Sequence, residues 1–350
     1  MSKRARLAWF AAVAFVAFVG IGNLYLWTKG SVDGPSWWAI DFQLVVDAAN
    51  RLLEGSPLYA DPKFLYPPLA AVVGLPLTGI DSFAASVAYA TLKVGLAAIC
   101  TAALTPGWPA RDRALAMVGV VTCLPFLHDL FLGNANVLIV ASMVPAVFGT
   151  SRLRNGVLLG LVAAAFAKPL IVPVLLWLAV WRWRTFLGAT LAGLAATAGA
   201  VLVAGPGAYL AWVWALAAGS RYASVFAGNH GVTALVPELW PPVAAVVALG
   251  VVLVLWRRGP RVAVAWAVTS GILLAPYAGT YSALPIALAL PAVGPLAPAF
   301  ALVIVAASPI ATTHPLPLYA AAIILGALAL REPTVQVRSL APVGLAAPPR

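Results

Sequence analysis

Apolar segments long enough to form membrane-spanning helices recur along the 350-residue chain, separated by shorter polar stretches. The first runs from Leu7 to Trp27, which is longer than the apolar core of a cleaved signal peptide, so we expect an uncleaved first helix. Twelve spans are predicted in all, within a range of about ten to thirteen, because several late segments are short and contain proline. The further spans are predicted at 82–104, 113–128, 135–150, 156–166, 170–180, 185–204, 241–256, 262–275, 283–293, 296–308 and 316–331.

Two longer stretches, 29–81 and 205–240, are predicted to be outer loops. The first loop contains a short helix predicted at 42–54, which Asp41 can cap and Gly55 can end. An apolar face of this helix includes Asp41 at its edge. The carboxylate of Asp41 is therefore expected to point toward protein or membrane.

The other face of the same helix carries Asp47, Arg51 and Glu54, whose spacing predicts a water-facing stripe of ion pairs. After this helix, Tyr66-Pro67-Pro68 begins a short apolar segment that ends at Leu77. Because this segment is too short to span a bilayer, we expect it to lie in or re-enter the outer leaflet.

Composition supports a membrane location for the whole chain. Hydrophobic residues make up 63% and charged residues 9%, with a mean hydropathy of +0.99. Too little polar surface remains to cover a soluble domain. The predicted fold class is therefore all-α and polytopic, with one integral membrane domain over 1–331 and a Pro-rich, disordered cytoplasmic tail over 332–350.

Charges are segregated along the chain. Most basic residues lie in clusters between spans, and the positive-inside rule places these clusters and both termini in the cytoplasm of a multi-pass plasma-membrane protein. Most acidic residues lie in the alternate, outer loops, so the net charge of +11 reflects topology and predicts no nucleic-acid binding. Lys93 is an exception within span 82–104 and is expected to pair inside the bundle or snorkel. The clusters are Lys3, Arg4, Arg6; Arg111, Arg113; Arg152, Arg154; Arg182, Arg184; Arg257, Arg258, Arg261; and Arg331, Arg338, Arg350.

Candidate chemistry collects on the outer side. The sequence has no Walker loop, GxSxG, HExxH or Gly-rich dinucleotide motif, which disfavours a nucleotide-driven enzyme. Cys100 and Cys123 lie in apolar runs and the three histidines do not cluster, so neither a metal site nor a disulfide is predicted. What remains is a carboxylate near the outer surface, with cations and amides able to hold a phosphate.

Four stretches occur in order: 41–59 followed by Phe64-Leu-Tyr-Pro-Pro, then Leu132-Gly-Asn-Ala-Asn136, Ala163 to Lys168-Pro169, and Gly228-Asn-His230-Gly. Together they resemble glycosyltransferase family 87, which contains polyprenyl-phosphate-mannose-dependent mannosyltransferases of the GT-C class. The likeness extends from Leu7 to about residue 330. One departure is Tyr281, because family members often carry a histidine nearby that can meet the donor phosphate.

The resemblance implies a GT-C bundle of about twelve helices with its catalytic base on the first outer loop, here Asp41. It implies inverting transfer of a hexose from a polyprenyl-phosphate donor to a lipid or glycan outside the cytoplasm, with mannose favoured and arabinofuranose or another sugar left open. The phosphate leaves as a stable anion, so one base suffices and cations instead of a metal would meet its charge. No cofactor and no protein partner is predicted. The phosphate-binding candidates are Lys168, Arg221 and His230, and the substrate-binding candidates are Tyr66, Asn134, Asn136, Asp129 and Tyr281.

Each candidate also has a structural interpretation. Asp41 can simply cap a helix, and Lys168 can snorkel to the outer headgroups. Asp129 can mark the end of a span. Arg221 can be an ordinary loop charge, and His230 can be a structural histidine.

Two other functions stay open at this level. A transporter or flippase for a lipid-linked sugar also needs many spans and intramembrane polar groups, but transporters usually show a repeat in the two halves of the chain. This chain has one acidic outer loop near the N-terminus and no counterpart. A non-catalytic partner in an envelope complex is the third hypothesis.

Overall fold

The computed structural model describes residues 9–11, 13–14, 17–18, 20–22, 39–168, 171–223, 246, 249–250, 281–282 and 284–285. Within these ranges the regular structure is helical and contains no strand, which confirms the predicted all-α class. The predicted spans at 262–275, 296–308 and 316–331, most of those at 241–256 and 283–293, and the tail lie outside the described residues.

Helix α1, Ile40–Leu53, lies in the first loop close to its predicted bounds. Its N-cap residue is Ala39, in the left-handed region at φ 56°, and no side chain caps the helix. The interpretation of Asp41 as the cap is therefore wrong. At the other end Gly55 has φ 67°, and its N–H donates to Leu52 O at 3.3 Å, which is half of a Schellman motif. The predicted end of the helix at Gly55 is thus confirmed.

The two faces of α1 divide largely as predicted. Leu44, Val45 and Ala48 are buried, whereas Asp47 is exposed. The ion pair of Arg51 differs from the predicted stripe. Arg51 pairs with Asp61 from the following loop, at 3.9 Å. Asp61 lies in a loop outside the helix, and the spacing of residues along a helix does not predict a contact with a loop.

Helix α2, Pro68–Gly74, continues into a 3₁₀ turn, Leu75–Leu77, and forms the short apolar segment expected there. Proline suits its first position because that N–H would have no helical partner. The helix packs against α1, and a Cβ on Gly74 would lie 3.0 Å from the carbonyl oxygen of Val45. The first loop is therefore a compact pair of helices.

Helix α3, Ser82–Leu104, has the bounds predicted for the second span. The next predicted span, 113–128, is wrong as a single helix. It consists of α4, Ala110–Thr122, and α5, Leu124–Leu132, bent by 49° at a break. Pro125 has no N–H to donate to the preceding turn, so the chain restarts a helix after the extended Cys123.

Four further helices lie near the spans predicted at 135–150, 156–166, 170–180 and 185–204: α6, Asn136–Phe148; α7, Leu153–Phe166; α8, Ile171–Trp181; and α9, Trp183–Ala204. Glycines let α7 and α9 touch at backbone distance, because a Cβ on Gly156, Gly160 or Gly188 would overlap the other helix. At about 1.5 Å per residue, α7 and α8 are only about 21 and 16 Å long, shorter than the hydrocarbon core.

The basic ends of these helices meet at one end of the bundle. The guanidinium of Arg182 donates to the carbonyl of Gly149, and Thr185 Oγ1 donates to Arg152 O at 3.3 Å. This agrees with the charge pattern, which predicted that the Arg152 and Arg182 clusters lie on the same side.

The predicted outer loop at 205–240 begins as a helix, α10, Pro206–Ala223, which the sequence analysis did not predict. Pro206 favours a new helix start directly after Gly205. On α10, Trp212 Nε1 donates to Leu65 O at 3.0 Å, so this stretch covers the first loop.

By length and composition, α3 and α9 are each able to cross a membrane, and the bent pair α4–α5 can form a third span. These are the candidate spans within the described part of the chain. Together with the overall hydropathy they make the chain a membrane protein.

Candidate active site

Asp41 lies in the first turn of α1, outside the candidate spans. Asn134 Nδ2 donates to Asp41 Oδ2 at 2.6 Å. Burial raises the pKa of Asp41, while the positive charge of Lys168, the Asn134 hydrogen bond and, more weakly, Lys93 act in the opposite direction. The result is a carboxylate that is more basic than an exposed aspartate and that is held in one orientation.

The orientation of the Asn134 amide follows from its other contacts. Asn134 Oδ1 accepts the backbone N–H of Ala135 at 2.8 Å, which leaves the NH₂ group to face Asp41. The backbone of Asn134 is also held, since its N–H donates to Asp129 O and its carbonyl accepts the hydroxyl of Tyr89, both at 3.1 Å.

Gly133 allows α1 to approach this turn. It has φ 69°, in the left-handed region that favours glycine, and ends α5. A Cβ at this position would lie 2.8 Å from Phe42 Cβ and 3.0 Å from Ala39 Cα. The N–H of Ala39 donates to Phe131 O at 2.7 Å. The end of α5 and the start of α1 are therefore fastened together at the position of Asp41.

Lys168 follows α7 and brings a cation close to this carboxylate. Its Nζ lies 5.9 Å from the ring centroid of Tyr66 and 5.8 Å from that of Tyr281. Burial lowers the pKa of Lys168, and Asp41 and Asp129 act against that change. The ammonium thus lies near two aromatic rings and is attracted by two acids.

Tyr66 is positioned by its own surroundings. Its backbone carbonyl accepts the Tyr59 hydroxyl at 2.9 Å, and its ring meets Phe166 edge-on with centroids 5.6 Å apart. The residue is half-buried, and its ring lies near the Lys168 ammonium. The sequence-predicted residues Asp41, Tyr66, Asn134, Lys168 and Tyr281 therefore meet in one place.

Asp129 and Asn136 lie deeper. Asp129 is fully enclosed and forms an ion pair with Lys93, also fully enclosed, so the prediction that Lys93 pairs inside the bundle is confirmed. Asn136 is buried and its Nδ2 donates to Tyr281 O at 3.1 Å. Tyr281 in turn contacts His128, with ring centroids 5.9 Å apart.

Two predicted phosphate ligands are not placed. Arg221 belongs to the backbone of α10, but its side chain lies outside the described part of the structure, as does all of His230. Their roles stay predictions.

Tyr89 is a site residue that sequence reasoning missed. Its hydroxyl binds Asn134, and its ring stacks on Phe42 with centroids 4.7 Å apart. The sequence contains a signal for this role of Tyr89, because Tyr89 and Lys93 are four residues apart and share one face of an otherwise apolar span.

A family model described as "Glycosyltransferase family 87" matches residues 64–278, more than half of the chain. Comparison with curated proteins and with solved structures gave no match. The matched range includes Tyr66, Asn134 and Lys168 and begins after Asp41, so the case for Asp41 depends on its contacts.

Proposed function

Because this chain belongs to glycosyltransferase family 87, and is a membrane glycosyltransferase, we propose that it transfers a hexose, specifically mannose, from a polyprenyl-phosphate donor. The acceptor is a hydroxyl group of a lipid or glycan on the extracytoplasmic side. The proposal is carried by one observation: a half-buried carboxylate on the first loop, Asp41, is oriented by Asn134 beside the cation of Lys168.

In this mechanism Asp41 acts as the general base. It removes the proton from the acceptor hydroxyl while the acceptor oxygen forms a bond to the anomeric carbon of the donor sugar. The bond from that carbon to the phosphate oxygen breaks, and its electron pair leaves with the polyprenyl phosphate. Attack from the side opposite the leaving group inverts the anomeric centre.

Lys168 is proposed to hold the donor phosphate and to stabilise the charge that develops as it leaves. A bound phosphate would favour the charged form of the ammonium, against the effect of burial. Arg221 and His230 are proposed as additional cations. Tyr66 is proposed to orient sugar hydroxyls, since its side chain is half-buried beside Lys168.

Asn136 and Tyr281 bind each other and are nearly enclosed, so their proposed role is to support the site and not to contact the sugar. Asn134 is proposed to act on Asp41 and not on the sugar, because its amide is already engaged there.

The proposed side of the membrane follows from charge. The Arg152 and Arg182 clusters meet at one end of α7, and Lys168 with Asp41 lies at the other. Basic clusters favour the cytoplasm, so the candidate site would face outward, in the plasma membrane.

The test compares wild-type membranes with Asp41→Asn, using radiolabelled polyprenyl-phosphate mannose and a lipid extract as acceptor. Loss of a general base should reduce transfer by about 10²- to 10⁴-fold. Asp47→Asn is the matched control, because Asp47 lies on the same helix with its side chain exposed, and it should transfer at the wild-type rate.

Equal transfer by Asp41→Asn and wild type would remove Asp41 from the mechanism. Uptake of the lipid-linked sugar into proteoliposomes without glycosyl transfer would instead favour a transporter or flippase.

A further inference from the structure

The ion pair between Lys93 and Asp129 adjoins the candidate active site, and both side chains are completely enclosed. Buried charges are costly unless they are paired and hydrogen-bonded, so breaking this pair would disturb its surroundings strongly. Since neither side chain has exposed surface, neither can touch a sugar or a phosphate. The pair can therefore affect the reaction only through the residues that it holds or through the charge of Lys93, which acts weakly on Asp41.

Lys93 holds the backbone that leads to Asn134. Its ammonium binds the carboxylate of Asp129 and also donates to the backbone carbonyl of the same residue at 2.6 Å. That carbonyl accepts the N–H of Asn134 at 3.1 Å. The ammonium therefore fixes the turn from which the Asn134 side chain reaches Asp41.

Tyr89 lies four residues before Lys93 on α3 and also contacts the backbone of Asn134. Its hydroxyl donates to the carbonyl of Asn134 at 3.1 Å, and its ring stacks on Phe42 at an interplanar angle of 15°. Phe42 directly follows Asp41 in the chain. Helix α3 thus uses two side chains, at positions i and i+4, to fix both partners of the hydrogen bond between Asp41 and Asn134.

We propose that Lys93 and Asp129 form a positioning pair, which orients Asn134 and through it the Asp41 carboxylate for removal of the acceptor proton. The inference rests on the proposed function of Asp41. It gives Asp129, which the sequence analysis predicted to bind substrate, a role in holding the site instead. A misplacement of about 1 Å can cost about 100-fold in turnover, so the pair should affect turnover much more than donor binding.

The test uses purified full-length protein with radiolabelled polyprenyl-phosphate mannose and a lipid extract. In Lys93→Met, kcat should fall by about 10- to 100-fold while the donor KM stays within about twofold. The combination Lys93→Met with Asn134→Ala should be no slower than Asn134→Ala alone, because both break the same connection. Thr101→Val is the control, since Thr101 is also buried on α3 and its hydroxyl donates to Ala97 O within the same helix, and it should keep its kcat.

A normal kcat in folded Lys93→Met, or losses that multiply when Asn134→Ala is added, would overturn the positioning role. Where Lys93→Met does not fold because Asp129 is left unpaired, Lys93→Met with Asp129→Asn removes both charges and decides the same question. Asp41→Asn separates the two proposals. Full activity in that variant would reject the proposed function, whereas an inactive Asp41→Asn beside a fully active Lys93→Met would reject the positioning pair alone.

Discussion

Opposing effects act on the pKa of the Asp41 carboxylate, the proposed base. Burial raises its pKa, and a hydrogen bond from Asn134 and the charges of Lys168 and Lys93 lower it again. A base is useful when it is ionised at the working pH and still basic enough to take a proton. Burial makes Asp41 more basic than an exposed aspartate, while the Asn134 hydrogen bond and the lysine charges favour its ionised form.

A dependence on pH follows from this balance. Asp41 must be deprotonated to act, so the transfer rate should rise with pH through the raised pKa of Asp41. In Asn134→Ala the carboxylate loses a hydrogen bond that favours its charged form, so its pKa rises further. The acid limb of the rate–pH profile should move to higher pH, and the maximal rate should fall by about 10- to 100-fold.

The measurement is the transfer rate of wild type and Asn134→Ala across the acid range. Lys168, Lys93 and Asp129 also carry charge near Asp41 and stay in place in this variant. Asn155→Ala is the control, since Asn155 bonds Thr150 at the far end of α7, and its profile should match wild type. An acid limb that moves to lower pH would contradict the assignment of Asp41 as the base.

Among the helices, α1 is important because the contact of its first turn with the end of α5 determines where Asp41 lies. The contact depends on Ala39 and Gly133, each in the left-handed backbone region, which lie against each other. Ala39 has a small side chain and Gly133 has none, so the backbones of α1 and α5 can approach each other closely. The contact also satisfies the N–H of Ala39, a donor at the start of α1 that has no partner within the helix.

Gly133→Ala should separate α1 from α5. The new Cβ would lie 2.8 Å from Phe42 Cβ, and alanine in the left-handed region costs roughly 1–2 kcal/mol. Transfer should fall by about 10- to 100-fold with a modest loss of thermal stability in detergent. Gly95→Ala on α3 has open space around its Cβ and should change neither quantity. A fully active Gly133→Ala protein would show that this close contact is not needed.

For the whole molecule, the separation of charges is the main determinant of orientation. Arginine clusters meet at one end of α7 and the candidate site lies at the other. Because the positive-inside rule acts on each cluster, the site should face away from the cytoplasm.

Cysteine labelling tests this orientation. A thiol introduced by Asp47→Cys, at an exposed position on α1, should react with a membrane-impermeant maleimide in intact cells. Arg154→Cys, exposed near the start of α7, should react only after the membrane is permeabilised. The native Cys100 and Cys123 are buried and should contribute little background. The reverse labelling pattern would place the site in the cytoplasm and remove the proposed donor chemistry, while the helical assignment would stand.

Properties that depend on one segment at a time can be predicted from the amino-acid sequence. The bounds of α3 follow from its apolar length, and the end of α1 at Gly55 follows from a turn that glycine favours. The all-α class follows in the same way, because in a bilayer each helix must satisfy its own backbone hydrogen bonds. The resemblance to family 87 also came from short motifs read in order, and the family model confirmed it.

The contacts between polar groups of different segments are visible only in the tertiary structure. Asp41 and Asn134 are 93 residues apart, and their contact depends on the packing of α1 against the turn after α5. The same holds for Lys93 with Asp129 and for the pairing of Arg51 with Asp61. Hydropathy and periodicity report how each segment partitions between water and lipid, whereas these contacts arise from the fit of side chains between segments, which no local pattern encodes.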